Sequence, residues 1–287
     1  MGLLGWGVTR RLLSLTAVAM VAPGCMVTTY RDPKRPVYQT RYGVPRDLAP
    51  GLRVVTFNIK EGRKIGEATS ALAQHPDLRD ADVVVLQEMD AGGVEALAKA
   101  LRMNSVYYPA TREPNGGSDW GNAVLSPWPI EDTRKVLLPH PGRIRRRGRT
   151  ATSALVRHPS GPIRVYSTHL GSPWDTSEGS RRDQVTSILD DAEASREPVV
   201  VAGDFNSENI GRLFEGRGYC WPTRGVGATI HSYSADHVFA RGLCSGIERA
   251  RSGVARDVTD ASDHRPVWAV LDDGATARAR SRAAASR

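Results

Sequence analysis

The chain has 287 residues, 40% of them hydrophobic, and a formal net charge of +8 at pH 7. That length and apolar content allow one large or two small domains with a full core. Arg10 and Arg11 supply two units of the charge and Arg278, Arg280, Arg282 and Arg287 four more, leaving +2 for residues 25–273. A body so close to neutral weakens the case for a strong non-specific duplex binder.

In chain order, Arg10-Arg11 precedes an apolar run from Leu12 to Ala22 and then Pro23-Gly24-Cys25. A basic start, a short apolar stretch and a small residue before cysteine make residues 1–24 an expected export signal. The run is too short for a permanent membrane helix, which needs roughly 20 apolar residues. The Gly-Cys junction resembles a bacterial lipoprotein processing site, at which Cys25 would carry lipid. The protein is therefore expected in the cell envelope, held to the membrane through Cys25, or else freely secreted. The arginine pair also permits a twin-arginine route. Residues 25–50 are rich in Pro, Arg, Tyr and Thr without periodicity and are predicted to be a flexible tether.

From residue 51 to 272, strand-like apolar runs alternate with helical patterns. Strands are predicted at 52–59, 81–89, 122–130, 150–156, 163–170, 199–202, 237–240 and 266–271, with a short helix at 93–101. Val185, Ile188, Leu189 and Ala192 fall at i, i+3, i+4 and i+7, the face of a longer helix. Mixed elements over such a length predict one α/β domain with sheets packed between helices. Within it, Arg143 to Arg149 holds five arginines in seven residues, either a solvated loop or one that faces an anion. Residues 273–287 hold too few apolar groups to pack and are expected to be a disordered basic tail. Of the three cysteines, Cys220 and Cys244 remain if Cys25 is lipidated. An oxidising compartment would bridge them; buried free thiols are the alternative.

The chemistry lies at strand ends. Thr56-Phe57-Asn58-Ile59 closes the first strand with an amide, and Val85-Leu86-Gln87-Glu88 closes the second with a carboxylate. Ser167-Thr168-His169-Leu170 ends another with an imidazole. Val199 to Gly203 runs into Asp204-Phe205-Asn206, Asp236-His237 opens a later strand, and Ser262-Asp263-His264 precedes the last. Each alone could cap a turn. Together they present hard oxygen ligands for a metal and a base that titrates near neutrality.

In order and residue type these elements, with Gly121-Asn122-Ala123 and Arg265-Pro266, resemble the endonuclease/exonuclease/phosphatase superfamily. That superfamily includes pancreatic-type deoxyribonucleases, apurinic endonucleases, inositol-polyphosphate phosphatases and bacterial sphingomyelinases. The resemblance runs from about Leu52 to Leu271 and implies a four-layer α/β/β/α sandwich with two mixed β-sheets. It implies a phosphoesterase that uses Mg²⁺, with Mn²⁺ as a substitute, held by Glu88, Asn58 and Asp263. His264 would take a proton from the attacking water and Asp236 would fix its tautomer. Asp204 and Asn206 would position the nucleophile and the phosphorus-bound oxygens, and His169 would donate to a phosphate oxygen or ease departure of the leaving group. Arg149 and Asn122 would contact phosphate. His237 is expected to be structural, and His140, His158 and His231 to be surface residues. The expected partner is a phosphate-ester substrate, either a nucleic acid or a phospholipid head group, met by a monomer. An extracellular nuclease, or a silent binding module on the same scaffold, is the competing reading.

Overall fold

The computed structural model describes residues 27–113, 117–144, 146–244 and 251–271. The expected export signal with Cys25, and the basic tail, lie outside the described residues.

Two mixed sheets form the centre. The first takes β1 (Thr28–Thr29), β2 (Tyr38–Arg41), β3 (Leu52–Asn58), β4 (Val83–Met89), β5 (Asn104–Arg112), β6 (Asp119–Ser126), β12 (Arg251–Val254) and β13 (Val267–Leu271). Its strands lie in the order β1-β5-β6-β4-β3-β13-β12, with β2 also on β5. The second takes β7 (Ile130–Leu138), β8 (Arg149–Val156), β9 (Ile163–His169), β10 (Val199–Asp204) and β11 (Asp236–Arg241), in the order β11-β10-β9-β8-β7. Helices α1 (Ile65–Gln74) and α2 (Ala91–Ala100) cover the first sheet; α3 (Glu178–Glu193) and α4 (Gly211–Glu215) cover the second.

Side chains along a strand point alternately to its two faces. Val54, Val83, Val85, Val200, Ala202, Val238 and Ala240 meet between the sheets, while Val55, Phe57, Val84 and Leu86 face the first helical layer. Val199 and Val201 face the second. Both faces of these strands are buried, which is why they read as unbroken apolar runs. The four-layer α/β/β/α sandwich implied by the sequence is the fold observed. The long helix face at Val185, Ile188, Leu189 and Ala192 is buried in α3.

The predicted tether needs correction, because residues 28–41 belong to the fold. Tyr38–Arg41 pairs antiparallel with β5 from Tyr107 to Asn104, and Thr28–Thr29 pairs with Arg112 and Thr111. The Lys135 backbone N–H donates to the Pro33 carbonyl at 3.2 Å and its Nζ to the Arg35 carbonyl at 3.1 Å. The open edge of β5 offers unpaired backbone groups, and this segment satisfies them. Composition hid the segment because a docked edge strand needs no apolar periodicity of its own. Among the described residues Cys220 and Cys244 are disulfide-bonded, with Cα atoms 5.8 Å apart.

Candidate active site

Period-two alternation builds the site. Residues 200 and 202 of β10 point between the sheets, so Asp204 does too; the same parity carries Asn58 on β3, His169 on β9 and Asp236 on β11. Register then lines them up, with Asp204 opposite His169 on one side and Asp236 on the other. Each apolar row of the inter-sheet core thus ends in a polar group at the same rim. Close approach of β9 and β10 depends on Gly203, where a Cβ would meet the Thr168 carbonyl oxygen at 1.9 Å.

Asp204 is 1% exposed. Its Oδ2 accepts from Asn58 Nδ2 at 3.0 Å and lies 3.2 Å from His169 Nε2, and its Oδ1 accepts from the Asn206 N–H at 2.9 Å. Burial pushes its carboxyl up to about 7, against the pull of His264, with Asp236 adding repulsion. His264 Nδ1 lies 2.8 Å from Asp236 Oδ2, leaving Nε2 on the Asp204 side at 3.7 Å. Burial alone would lower this imidazole, yet Asp236 and Asp204 outweigh it and raise it to about 10. His169 goes the other way: burial, then Arg149 and His264, hold it well below the usual histidine range. It is a neutral ring, with Nδ1 buried and unpartnered 3.8 Å from Glu88 Oε1.

Glu88 owes its direction to a defect in the ladder. The pairing of β4 with β6 shifts register between Leu86 and Met89, and Glu88 sits at φ 57°, in the left-handed region. Regular alternation would send it to the helical layer; the bulge re-aims it to the rim. There Oε1 accepts from Asn58 Nδ2 at 3.2 Å and Oε2 from the Glu61 N–H at 3.1 Å.

The remaining expected residues divide. Arg149 is buried, its guanidinium 4.6 Å from the Trp120 ring centroid and its Nη1 without a partner. Burial lowers it to about 10, opposed by Glu88 and Asp204, so it stays charged at neutral pH. Trp120 also packs 4.9 Å from the His169 ring, which places this arginine behind the imidazole. Asn206, at φ 49°, donates through Nδ2 to the Leu170 carbonyl at 3.1 Å and fixes the loop after His169. Asn122 donates to the Thr150 carbonyl at 2.7 Å, tying β6 to β8, while its Oδ1 is buried and unpartnered. Asp263 is bound to Lys60 Nζ at 2.9 Å and accepts from Ser262 Oγ at 3.3 Å, so its carboxylate is engaged by these residues and not by Asn58. His237 is structural, packed against Phe205 and Trp221 with Nε2 3.1 Å from the Ser207 carbonyl. His140 and His231 are exposed, but His158 is not on the surface: it is buried edge-on to Trp128 at 5.6 Å.

Several contributors escaped the sequence. Thr229 Oγ1 donates to Asp236 Oδ2 at 2.6 Å, and an isolated bridge from Ile230 to His264 brings this loop beneath the imidazole. One layer below the rim, Gln87 Nε2 donates to Ser167 Oγ at 3.2 Å and Gln87 Oε1 accepts from Thr56 Oγ1 at 3.3 Å, joining the two sheets. Gln87 lay inside a recognised motif and could have been found; Thr229 stands in a loop with no such signal.

The donor set can be tested for a metal. Glu88, Asn58 and Asp263 offer hard oxygens only, which suit Mg²⁺ or Mn²⁺ and not a thiolate-seeking ion. Glu88 keeps 20% of its side chain exposed and Asp263 32%, so water-carrying ions can reach both. Asp204, Asp236 and His264 also present one ligand atom each within 4.8 Å of one another. That group is less suited because its three residues are buried, Asp236 completely, and would strip a hydrated ion of its water. Hydrogen bonding does not separate the two sets, since Asn58 Oδ1 itself accepts from the Lys60 N–H at 3.1 Å.

A sandwich whose inter-sheet core ends in acids, amides and imidazoles at one rim is a phosphoesterase-like fold. The model of the Endonuclease/Exonuclease/phosphatase family matches residues 55–264, and the chain belongs to that family. Its members are hydrolases of phosphoester bonds and generally use divalent metals. Similar solved structures include an endonuclease/exonuclease/phosphatase from Beutenbergia cavernae, at 22% identity over 78% of this chain and 72% of that one, with TM-score 0.59. A mannosyl-6-phosphatase of Bacteroides thetaiotaomicron is 14% identical over 77% and 99%, TM-score 0.56. The human Nocturnin catalytic domain is 17% identical over 79% and 96%, TM-score 0.55. At these identities they establish the fold alone. No curated protein matches the chain in sequence.

Proposed function

We propose that the chain hydrolyses phosphate esters by activated water, with Mg²⁺ or Mn²⁺ as cofactor, outside the cytoplasm. The observation that carries this reading is the continuous network from Asp236 through His264, Asp204 and Asn58 to Glu88, which links a base to a hard-ligand carboxylate.

Held by Glu88 and Asn58, with Asp263 at the margin, the cation would neutralise charge on the phosphoryl oxygens. In its neutral form, which its raised pKa of about 10 confines to alkaline pH, His264 takes the proton of the attacking water on Nε2, while Asp236 keeps Nδ1 protonated and steadies the imidazolium that re-forms. Asp204 orients the water beside Nε2, and Asn206 holds Asp204 and the Leu170 loop in place. His169, neutral and backed by Arg149, offers an uncharged ring to a phosphate oxygen. Arg149 adds fixed positive potential behind that ring. The leader-like segment ending at Cys25 and the Cys220–Cys244 bridge support a location in an oxidising compartment.

Turnover of bis-aryl and mono-aryl phosphates with and without chelator tests the reading. Hydrolysis should vanish in chelator, return with Mg²⁺ or Mn²⁺, and be lost in Glu88→Gln together with cation binding. Unchanged hydrolysis in excess chelator contradicts it. A panel of DNA, RNA, phosphoinositide and sphingomyelin then sorts the substrate class.

A further inference from the structure

Among the described residues, the two most exposed large hydrophobics are Trp174, at 91%, and Ile144, at 77%. They stand on different loops that are fastened together. Asp175, next to Trp174, accepts the Ile144 N–H on Oδ1 at 2.6 Å and the Arg143 N–H on its carbonyl at 3.1 Å. Gly142 permits this approach, since a Cβ there would meet Asp175 Oδ2 at 1.9 Å. The Trp174 loop is braced below by Arg181 Nη1, which donates to the Thr176 carbonyl at 2.8 Å, and by Gln184 Oε1, which accepts the Gly171 N–H at 3.0 Å. A tryptophan held out in water on a braced loop is not a frayed end.

Three further facts say what would cover it. Arg143 and Arg146 are exposed on the same turn as Ile144, and neither is in an ion pair among the described residues. Trp174 follows His169 by five residues, so it lies within about 18 Å of the catalytic rim along the chain. Thr29 Oγ1 accepts the Gly148 N–H at 3.3 Å, which brings the start of the fold against this loop. Cys25 precedes Thr29 by four residues, no more than about 14 Å of extended chain. Thr29, four residues along the chain from Cys25, is thus held at the Gly148 end of the arginine loop.

We propose that the Trp174–Ile144 tip, with Arg143 and Arg146, docks into the interface of an anionic lipid bilayer and holds the catalytic rim against it. Indole and aliphatic groups partition to the boundary of head group and acyl chain, and arginines beside them meet lipid phosphates while their stems lie along apolar surface. Docking does not depend on the hydrolytic reading, but that reading gives it a use: phosphate esters displayed on the membrane become the accessible substrates. A nucleic acid is the weaker occupant, since a base stacked on Trp174 would leave the aliphatic Ile144 in water.

Fluorescence of the full chain, as wild type and as Cys25→Ser, tests this with vesicles of brominated phosphatidylcholine, alone or mixed with phosphatidylglycerol. The anionic vesicles should quench a fraction of the emission that is missing in Trp174→Phe, and quenching should persist in Cys25→Ser. Arg143→Gln with Arg146→Gln should weaken partitioning about thirty-fold, at roughly 1 kcal/mol for each basic side chain near an anionic surface. Trp174→Ala should leave turnover of a soluble aryl phosphate unchanged. Glu88→Gln should dock like wild type, so failure of docking and failure of catalysis are told apart. No Trp174-dependent quenching by anionic vesicles, or quenching by a single-stranded oligonucleotide in its place, overturns the proposal.

Discussion

At the end of the first sheet, Glu88 stands on a left-handed bulge with a fifth of its side chain open to water; at the end of the second, Asp204 and Asp236 are sealed to 2% and 0%. Both ends use carboxylates, and they are joined by the Asn58 amide, which donates to Glu88 and to Asp204, and by the His169 ring, 3.2 Å from Asp204 and 3.8 Å from Glu88. Accessible oxygen that still carries water suits a hydrated cation. Buried carboxylates against an imidazole hold a proton, as the rise of His264 to about 10 and of Asp204 to about 7 records. On the proposed reading, separation of the site into a cation half and a proton half follows from burial, not from residue type.

The same contrast sorts the two buried histidines. His264, against Asp236 at 2.8 Å and Asp204, keeps its proton despite burial; His169, although 3.2 Å from Asp204, loses it to burial first and then to Arg149 and His264. The sharpest way to break this distinction is His264→Ala. It should reduce turnover by about 10² to 10⁴, the contribution of a positioned base, with folding checked by circular dichroism. Retention of most activity would remove His264 from the mechanism while leaving the fold untouched. Asp236→Asn should cost less, because the base survives but its Nδ1–H loses a charged acceptor; kcat should fall more than KM rises.

Linkage gives a measurement independent of substrate. His264 goes from 6.5 in the unfolded chain to about 10 when folded, and Asp204 from 3.8 to about 7. Both are raised, so each contribution to stability is full below the unfolded value and is lost as pH rises through the folded one. Denaturant unfolding should therefore show stability declining from pH 3.8 to about 7 through Asp204 and from pH 6.5 to about 10 through His264. The decline should be shallower in His264→Gln, and an identical slope in that variant would contradict the placement of its proton. An acid limb of activity near neutrality, expected of an ordinary histidine, moves accordingly to alkaline pH. The smallest effects belong to His140→Ala and His158→Ala, whose turnover should stay near wild type. His158→Ala should instead lower the melting temperature, since its ring is buried against Trp128.

Much of this was legible in the sequence because the inter-sheet core writes itself plainly. Val83 to Leu86 and Val199 to Ala202 are apolar on both faces, so the polar residues ending them mark the rim. What was not legible depends on contacts between distant segments. Thr229 reaches Asp236 through a loop, and the Tyr38 strand is defined by the edge of β5, not by its own composition. Asp263 looked like a direct companion of Glu88, yet its carboxylate is paired with Lys60. An insertion with aromatic character was not visible either, because Trp174 and Ile144 are thirty residues apart and meet only through Asp175.

Calorimetric titration of Mn²⁺ into wild type, Glu88→Gln and His264→Gln tests the division of the site most directly. The account expects cation binding to be lost in Glu88→Gln and kept in His264→Gln, with turnover lost in both. Binding kept in Glu88→Gln and lost in His264→Gln would place the cation among Asp204, Asp236 and His264 and contradict it.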